Sequence, residues 1–132
     1  MENNQEIIRL ENLSKTFELR YHKTLRAVDA VSLSLHKGVC TAVVGESGCG
    51  KSTLARMAAL LEPVTEGAIY YKGQQIGGIK EGQPMSIRGE SLRAYRRHVQ
   101  MIFQDPVNVF SPRMKIGTFL MEPWIHFEKK TK

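Results

Sequence analysis

The sequence predicts an α/β fold, and three local patterns along the chain support this prediction. Residues 31–35, VSLSL, alternate apolar and polar side chains, which is the period of a half-buried strand. Residues 39–44 are apolar and partly β-branched, as in a strand that is buried on both faces. Four apolar residues then share the spacing of one helical stripe: Leu54, Met57, Ala58 and Leu61. A strand, a loop and a helix therefore follow one another in this part of the chain.

The composition is that of one small globular domain. The chain has 132 residues, of which 42% are hydrophobic, and a formal net charge of +6. The polar, acidic N-terminus is not a secretory signal, and no stretch approaches the ~20 apolar residues of a membrane span. We therefore expect a cytoplasmic location. Arg93, Arg96 and Arg97 share one helical face without interleaved aromatic residues, so we expect a solvated face and no nucleic-acid partner.

The remaining elements of the first half follow from local composition. Residues 7–17 begin a strand-like segment, and the polar, basic residues 21–26 predict a loop. The helix predicted for residues 51–61 is ended by Pro63. After a turn, residues 68–71 predict another short strand.

The second half of the chain has weaker patterns. Residues 76–89 are rich in glycine and proline without a clear period, which predicts a flexible loop. Residues 90–97 predict a short helix, and residues 99–103 predict a strand that stops near Asp105. Residues 114–127 have weak helical spacing, interrupted by Pro123.

The loop between the predicted strand and helix matches the pattern G-x-x-x-x-G-K-[ST]. Its glycines permit a backbone whose N–H groups converge on a phosphate at the start of a helix. Lys51 adds a positive charge, and Ser52 offers a hydroxyl to Mg²⁺ bridging the phosphates. We predict Mg-nucleotide binding, although ATPases, GTPases and small-molecule kinases all use this loop. The predicted binding residues are Gly45, Glu46, Ser47, Gly48, Cys49, Gly50, Lys51, Ser52 and Thr53.

Four sequence blocks together resemble the ATP-binding subunits of ABC transporters, in that family's order and approximate spacing. The blocks are LSKTF, AVDAVSLSLHKG, VVGESGCGKSTLAR and RRHVQMIFQDPVNVFSPRMKIG. The last block resembles the branch that serves dipeptide, oligopeptide and nickel importers. The resemblance implies a P-loop NTPase fold of the ABC ATPase type. Its N-terminal portion would contain an antiparallel β subdomain and the Walker A strand, loop and helix.

The resemblance also implies roles for individual residues. Phe17 matches the aromatic residue that stacks on adenine, although it could equally be strand core, and Tyr21 lies nearby. Residues 45–53 match the Walker A loop. Gln104 matches the Q-loop glutamine, which senses Mg²⁺ and the attacking water in a loop that contacts the permease. A less favoured alternative makes Asp105 a Walker B acid that holds Mg²⁺.

The 132 residues also depart from the family pattern. They contain no LSGGQ-like signature, no strand ending in Asp-Glu, and no switch histidine, since His126 follows the Q-loop too closely. Residues 111–113 are Ser-Pro-Arg where the family usually has Asn-Pro-Arg. The segment 76–89 also looks longer than the corresponding loop of the family. We therefore expect residues 1–132 to be a partial nucleotide-binding domain with a truncated sheet.

The implied function is that of an ATP-binding subunit of an ABC importer, on the inner face of the cell membrane. The full-length protein would bind and hydrolyse MgATP to energise uptake of peptides or nickel, with a second ATP-binding subunit and membrane permease subunits as partners. The alternatives are a truncated nucleotide-binding fragment without turnover, or another P-loop enzyme such as a small kinase. Conversion of ATP and water to ADP and phosphate needs the groups absent from these 132 residues.

Overall fold

The computed structural model describes residues 5–104 and 113–128. The chain divides into two units, Met1–Ile87 and Arg88–Lys132. In the described residues, the first unit contains a sheet and one α-helix, and the second contains two α-helices. The predictions that concern Asp105 and residues 111–112 lie outside the described residues.

The sheet of the first unit has five strands in the order β2-β1-β3-β4-β5. Each neighbouring pair is antiparallel, so the predicted antiparallel β subdomain is confirmed. The strands are β1 (Glu6–Glu18), β2 (Thr24–His36), β3 (Glu66–Tyr71), β4 (Gln74–Lys80) and β5 (Gln83–Ser86). A short 3-10 turn, Arg20–His22, connects β1 to β2.

The core of the first unit is built around β1, which lies between β2 and β3. Leu10 is opposite Leu33 on β2 and Ile69 on β3, and both Leu10 and Ile69 are buried. The helix α1 (Lys51–Ala58) contacts β1 and β2 and buries Leu54 and Met57. Removing these apolar side chains from water is the main favourable contribution to folding of this unit.

Most elements predicted from local pattern are present. The strands predicted at 7–17, 31–35 and 68–71 correspond to β1, β2 and β3. The other two predicted helices correspond to α2 (Gly89–His98) and α3 (Ile116–Glu128), and Pro123 lies inside α3.

The helix α1 ends before the predicted boundary at residue 61. The N–H groups of Leu61 and Glu62 both donate to the carbonyl oxygen of Arg56, and Leu60 has a φ of +55°. A left-handed residue beyond the last turn stops a helix and satisfies its last carbonyl groups.

The prediction of a flexible loop for residues 76–89 was wrong, because β4 and β5 form a hairpin there. Gly78 explains the error. It has a φ of +103°, and a Cβ on it would lie 2.2 Å from the carbonyl oxygen of Gly67. This glycine therefore permits a close approach within the sheet. The predicted loop at 21–26 was also too long, since residues 24–26 belong to β2.

Two predicted strands did not form. Residues 39–44 and residues 99–103 are irregular in the structure, although both segments are apolar. Across residues 5–104 and 113–128, no strand pairs with either segment. Because a strand depends on backbone hydrogen bonds to a neighbour, β propensity alone does not produce one. The predicted Walker A strand is therefore corrected to an irregular, exposed segment that leads into the loop and helix.

Candidate functional site

The phosphate-loop candidate ends at Gly50, the residue that caps the N-terminus of α1. Gly50 has a left-handed backbone with a φ of +97°. A Cβ at this position would lie 2.1 Å from the carbonyl oxygen of Ala27 and 3.4 Å from a methyl group of Val28. The helix side of the loop is therefore seated against β2, and only glycine fits at the contact.

The side chain of Lys51 folds back onto the loop. Its ammonium donates hydrogen bonds to the carbonyl oxygens of Gly45 (2.8 Å) and Glu46 (2.5 Å), and lies 3.5 Å from the Cys49 thiol. These contacts hold both ends of the loop around one positive charge. They also place the Lys51 charge inside the curve of the loop, where an anion would be attracted.

Several backbone donors of the loop are unused. The N–H group of Cys49 bonds to Glu46, and Leu54 makes the first helical bond, to Gly50. Among the described residues, the N–H groups of Gly48, Gly50, Lys51 and Ser52 make no hydrogen bond. Free N–H groups at a helix start, with the positive end of the helix dipole, are suited to phosphate oxygens.

The two hydroxyl residues after Lys51 differ in exposure. Ser52 is exposed, whereas Thr53 is half-buried. Within the described residues, no group of three or more His, Cys, Asp or Glu side chains could hold a metal ion. The Ser52 hydroxyl remains an oxygen ligand of the kind that Mg²⁺ accepts when phosphates and water complete its shell.

Phe17 lies near the end of β1, opposite Leu25 on β2, and is half-buried. The ammonium of Lys15 lies over the Phe17 ring, 4.8 Å from its centre. Tyr21, the neighbouring aromatic candidate, is 91% exposed and lines a cavity of about 350 Å³ beside the turn between β1 and β2. That cavity is formed by turn residues and does not include the phosphate loop.

Gln104 belongs to the second unit, where it is exposed at the end of the irregular segment 99–103. Val99 caps α2 by donating its N–H to the carbonyl oxygen of Tyr95. Ile102 is 96% exposed. The role of Gln104 stays a prediction, and so do the individual roles of residues 45–53 and Phe17.

Sequence reasoning missed the polar contacts that hold the sheet beside the loop. The buried Ser14 hydroxyl accepts hydrogen bonds from the Ala30 N–H (3.0 Å) and the Arg26 guanidinium (3.1 Å). The ammonium of Lys15 pairs with Glu62 at 2.6 Å. The LSKTF block contains Ser14 and Lys15, but nothing in its spacing indicates that their partners lie in distant segments.

The ABC transporter family matches residues 28–131 of the chain. The chain is 39% identical over 128 residues to a probable peptide ABC transporter ATP-binding protein of Sinorhizobium fredii, covering 92% of the chain and 34% of that protein. It is 46% identical over 102 residues to the di/tripeptide transport ATP-binding protein of Pseudomonas aeruginosa, covering 77% and 29%. It is also 46% identical over 101 residues to the oligopeptide transport ATP-binding protein of Escherichia coli, covering 76% and 28%. The chain thus spans roughly a third of the length of these curated relatives.

Two solved structures have a similar fold. The ADP conformation of an ATP-binding cassette of an ABC transporter has a TM-score of 0.53 and 31% identity, covering 68% of this chain and 30% of that one. A dimeric bacterial ABC transporter cassette has a TM-score of 0.70 and 21% identity, covering 96% and 50%. The predicted fold class is confirmed by these likenesses. In the part of the chain that the structure describes, no helix has the length and apolar character needed to cross a membrane.

Proposed function

Because the chain belongs to the ABC transporter family, we propose that it forms the nucleotide-binding part of an importer's ATP-binding subunit. The central claim is that residues 45–53 bind the triphosphate of ATP. A related cassette was solved in an ADP conformation, which supports a nucleotide as the ligand. The proposal assigns residues 1–132 to a nucleotide-binding domain that carries the Walker A loop and the Q-loop glutamine.

The observation that carries this proposal is the combination of unused donors and a fixed charge at the start of α1. Four loop N–H groups make no hydrogen bond among the described residues, and the Lys51 ammonium is held on the carbonyl oxygens of the same loop. A triphosphate would satisfy those donors and neutralise that charge at the same time. Unpaired N–H groups occur at the start of any helix, so the support for a phosphate ligand comes from their combination with the Lys51 ammonium and the glycine pattern.

Lys51 would exchange its partners when the nucleotide binds. Its present acceptors, the carbonyl oxygens of Gly45 and Glu46, are neutral. Phosphate oxygens carry a full negative charge, and hydrogen bonds between ionised groups are about twice as strong as neutral ones. The ammonium therefore gains by turning toward the phosphates, and the loop carbonyls are released to solvent.

Mg²⁺ is the second proposed ligand. Ser52 would hold it through the exposed hydroxyl, together with phosphate oxygens and water. The bound ion would offset part of the negative charge of the phosphates. We also propose that Gln104 has the role of the family's Q-loop glutamine, which senses Mg²⁺ and the attacking water.

Phe17 is the proposed platform for the adenine ring. The register of the sheet relates it to the phosphate loop, because a Cβ on Gly50 would lie 3.4 Å from a methyl group of Val28, and Val28 is opposite Lys15 on β1. Phe17 lies two residues farther along that strand, about 7 Å at the usual rise of a strand. A half-buried aromatic ring at this distance presents one flat surface on which a base can stack.

We propose peptides as the imported substrate class, since three similar relatives are named for peptide, di/tripeptide and oligopeptide transport. Nickel, the other cargo suggested by the resemblance, has no support from those names. The complete protein would act on the inner face of the membrane, with permease subunits and a second ATP-binding subunit. The dimeric state of a related cassette supports the second subunit.

Substitution of Lys51 by alanine tests the proposal. We expect the affinity for a non-hydrolysable ATP analogue with Mg²⁺ to fall about 10- to 100-fold, because a charge-assisted contact is lost. Isothermal titration calorimetry measures the affinity, and circular dichroism checks that the fold is kept. Lys80→Ala is the matched control, since Lys80 is exposed at the end of β4. Unchanged affinity in the Lys51 variant would contradict the proposed function.

A further inference from the structure

Lys15 is an unusual residue for the middle of a strand, because it is 8% exposed and carries a charge. Its ammonium pairs with the Glu62 carboxylate at 2.6 Å and donates to the carbonyl oxygen of Pro63 at 2.9 Å. Charged groups are seldom buried without such partners. Glu62 and Pro63 lie just beyond the end of α1, so these contacts tie β1 to the segment that follows the helix.

The same ammonium lies over one face of the Phe17 ring, 4.8 Å from the ring centre. Lys15 and Phe17 are two residues apart on β1, and side chains at that spacing extend from the same face of a strand. A cation over an aromatic face is attracted to the ring and restricts its rotation. One face of Phe17 is therefore occupied by a charge that Glu62 and Pro63 hold in place.

We infer that Lys15 is a positioning residue for the base of the nucleotide, acting through Phe17. This inference rests on the proposed function, in which Phe17 stacks on the adenine ring. Since the ammonium covers one face of Phe17, a base can stack only on the opposite face. The contacts of Lys15 with Glu62 and Pro63 hold the ammonium in place, and through it they would fix the angle of the ring toward the base.

The position of Lys15 also links base binding to phosphate binding. The helix α1 begins at the phosphate loop, and the segment that follows this helix holds the Lys15 ammonium through Glu62. Across the sheet, Lys15 is opposite Val28, and Val28 borders the space where a Cβ on Gly50 would lie, at 3.4 Å. The base platform and the phosphate loop are thus attached to the same short stretch of β1 by two separate routes.

A purely structural ion pair is the alternative role for Lys15 and Glu62, and ligands with and without a base distinguish the two. Lys15→Met removes the ammonium and keeps the length of the side chain. We expect its affinity for a non-hydrolysable ATP analogue to fall about threefold to tenfold, the size of a weakened stacking contact. Its affinity for inorganic tripolyphosphate, which has no base, should be unchanged.

Four further variants make the test specific. Lys15→Arg keeps the charge and should restore most of the affinity for the ATP analogue. Phe17→Ala should reproduce the selective loss, and adding Lys15→Met to it should cause no further loss. Lys15→Met combined with Glu62→Gln removes both charges. This double variant therefore distinguishes an effect of lost positioning from an effect of leaving the Glu62 carboxylate unpaired.

A triphosphate of the fluorescent base 2-aminopurine reports stacking directly. The quenching of its fluorescence should decrease in Lys15→Met.

The possible failures are distinguishable. An equal loss of affinity for both ligands in Lys15→Met, or no loss for either, would overturn the positioning role while Lys51-dependent binding remained. If Phe17→Ala kept the preference for the ATP analogue over tripolyphosphate, Phe17 would not be the residue on which the base stacks, and this inference would fail with it. Lys51→Ala binding both ligands as tightly as the unsubstituted chain would overturn the phosphate site itself.

Discussion

Strand β1 and the segment 39–44 both contain apolar and β-branched residues, but their environments are opposite. β1 is paired with a strand on each side, and it buries Leu13 completely and Leu10 almost completely. In the other segment, Val39 is 57% exposed and Val44 is 90% exposed. Because a strand is stabilised by cross-strand partners, the difference follows from what lies next to each segment. Apolar and β-branched residues make a strand possible, and neighbours make it form.

The difference extends into the phosphate loop. Its helix side is held by the fit of Gly50 against Ala27, whereas residues 43–48 are exposed. The Lys51 ammonium is the contact that ties the first loop residues to the helix. The loop geometry is therefore determined from α1 and β2, and the segment before it contributes little.

The largest expected effect concerns burial in the two regions. Ile69→Ala should lower the free energy of unfolding by about 2–5 kcal/mol, since a fully buried side chain is replaced by a cavity. Val44→Ala should change it by less than about 0.5 kcal/mol, because Val44 is almost fully exposed. Urea denaturation followed by circular dichroism measures both. Similar losses in the two variants would show that the segment 39–44 is packed like the sheet.

A second comparison concerns two glycines of the loop, Gly50 and Gly48. Gly50→Ala should lower the free energy of unfolding by about 2–4 kcal/mol, because it combines a strained φ with a collision against β2. Gly48→Ala has the same kind of φ, +80°, but open space around the added methyl group, so a loss of only about 1–2 kcal/mol is expected. Thermal denaturation of the pair measures the difference. A greater loss for Gly48→Ala would mean that the loop is anchored from its first half instead.

The smallest expected effect tests the polar contacts within the sheet. Ser14→Ala should lower the free energy of unfolding by about 1–3 kcal/mol, because the Ala30 N–H and the Arg26 guanidinium lose a buried acceptor, the Ser14 hydroxyl. Ser32→Ala is the matched control, since its hydroxyl also bonds across the β1–β2 pair but is exposed to water. We expect a loss of about 0.5 kcal/mol there. Equal losses in the two serine variants would show that burial does not strengthen the Ser14 contacts.

Prediction from local pattern succeeded where an element contains its own signal. The alternation at 31–35 and the helical stripe after Lys51 both appear in the structure, within β2 and α1. It failed where the outcome depends on distant residues. Gly78 looked like a loop residue, but its lack of a side chain serves a close approach to Gly67 within the sheet.

The candidate site shows the same division. Residues 45–53 were identifiable because the glycines, lysine and hydroxyls of a phosphate loop are consecutive in the chain. Lys15 was not singled out, because its partners Glu62 and Pro63 are more than forty residues away. Spacing along the chain contains no information about such a contact.

The sequence by itself determined the family, the phosphate-loop candidate and the elements with strong local periodicity. Those properties depend on residue type and spacing, which are written along the chain. Only the tertiary structure decided which apolar segments became strands, why Gly50 must be glycine, and which cation lies over Phe17. The physical reason is that strand pairing, steric fit and ion pairing are contacts between distant segments, and their free energy arises only when folding brings those segments together.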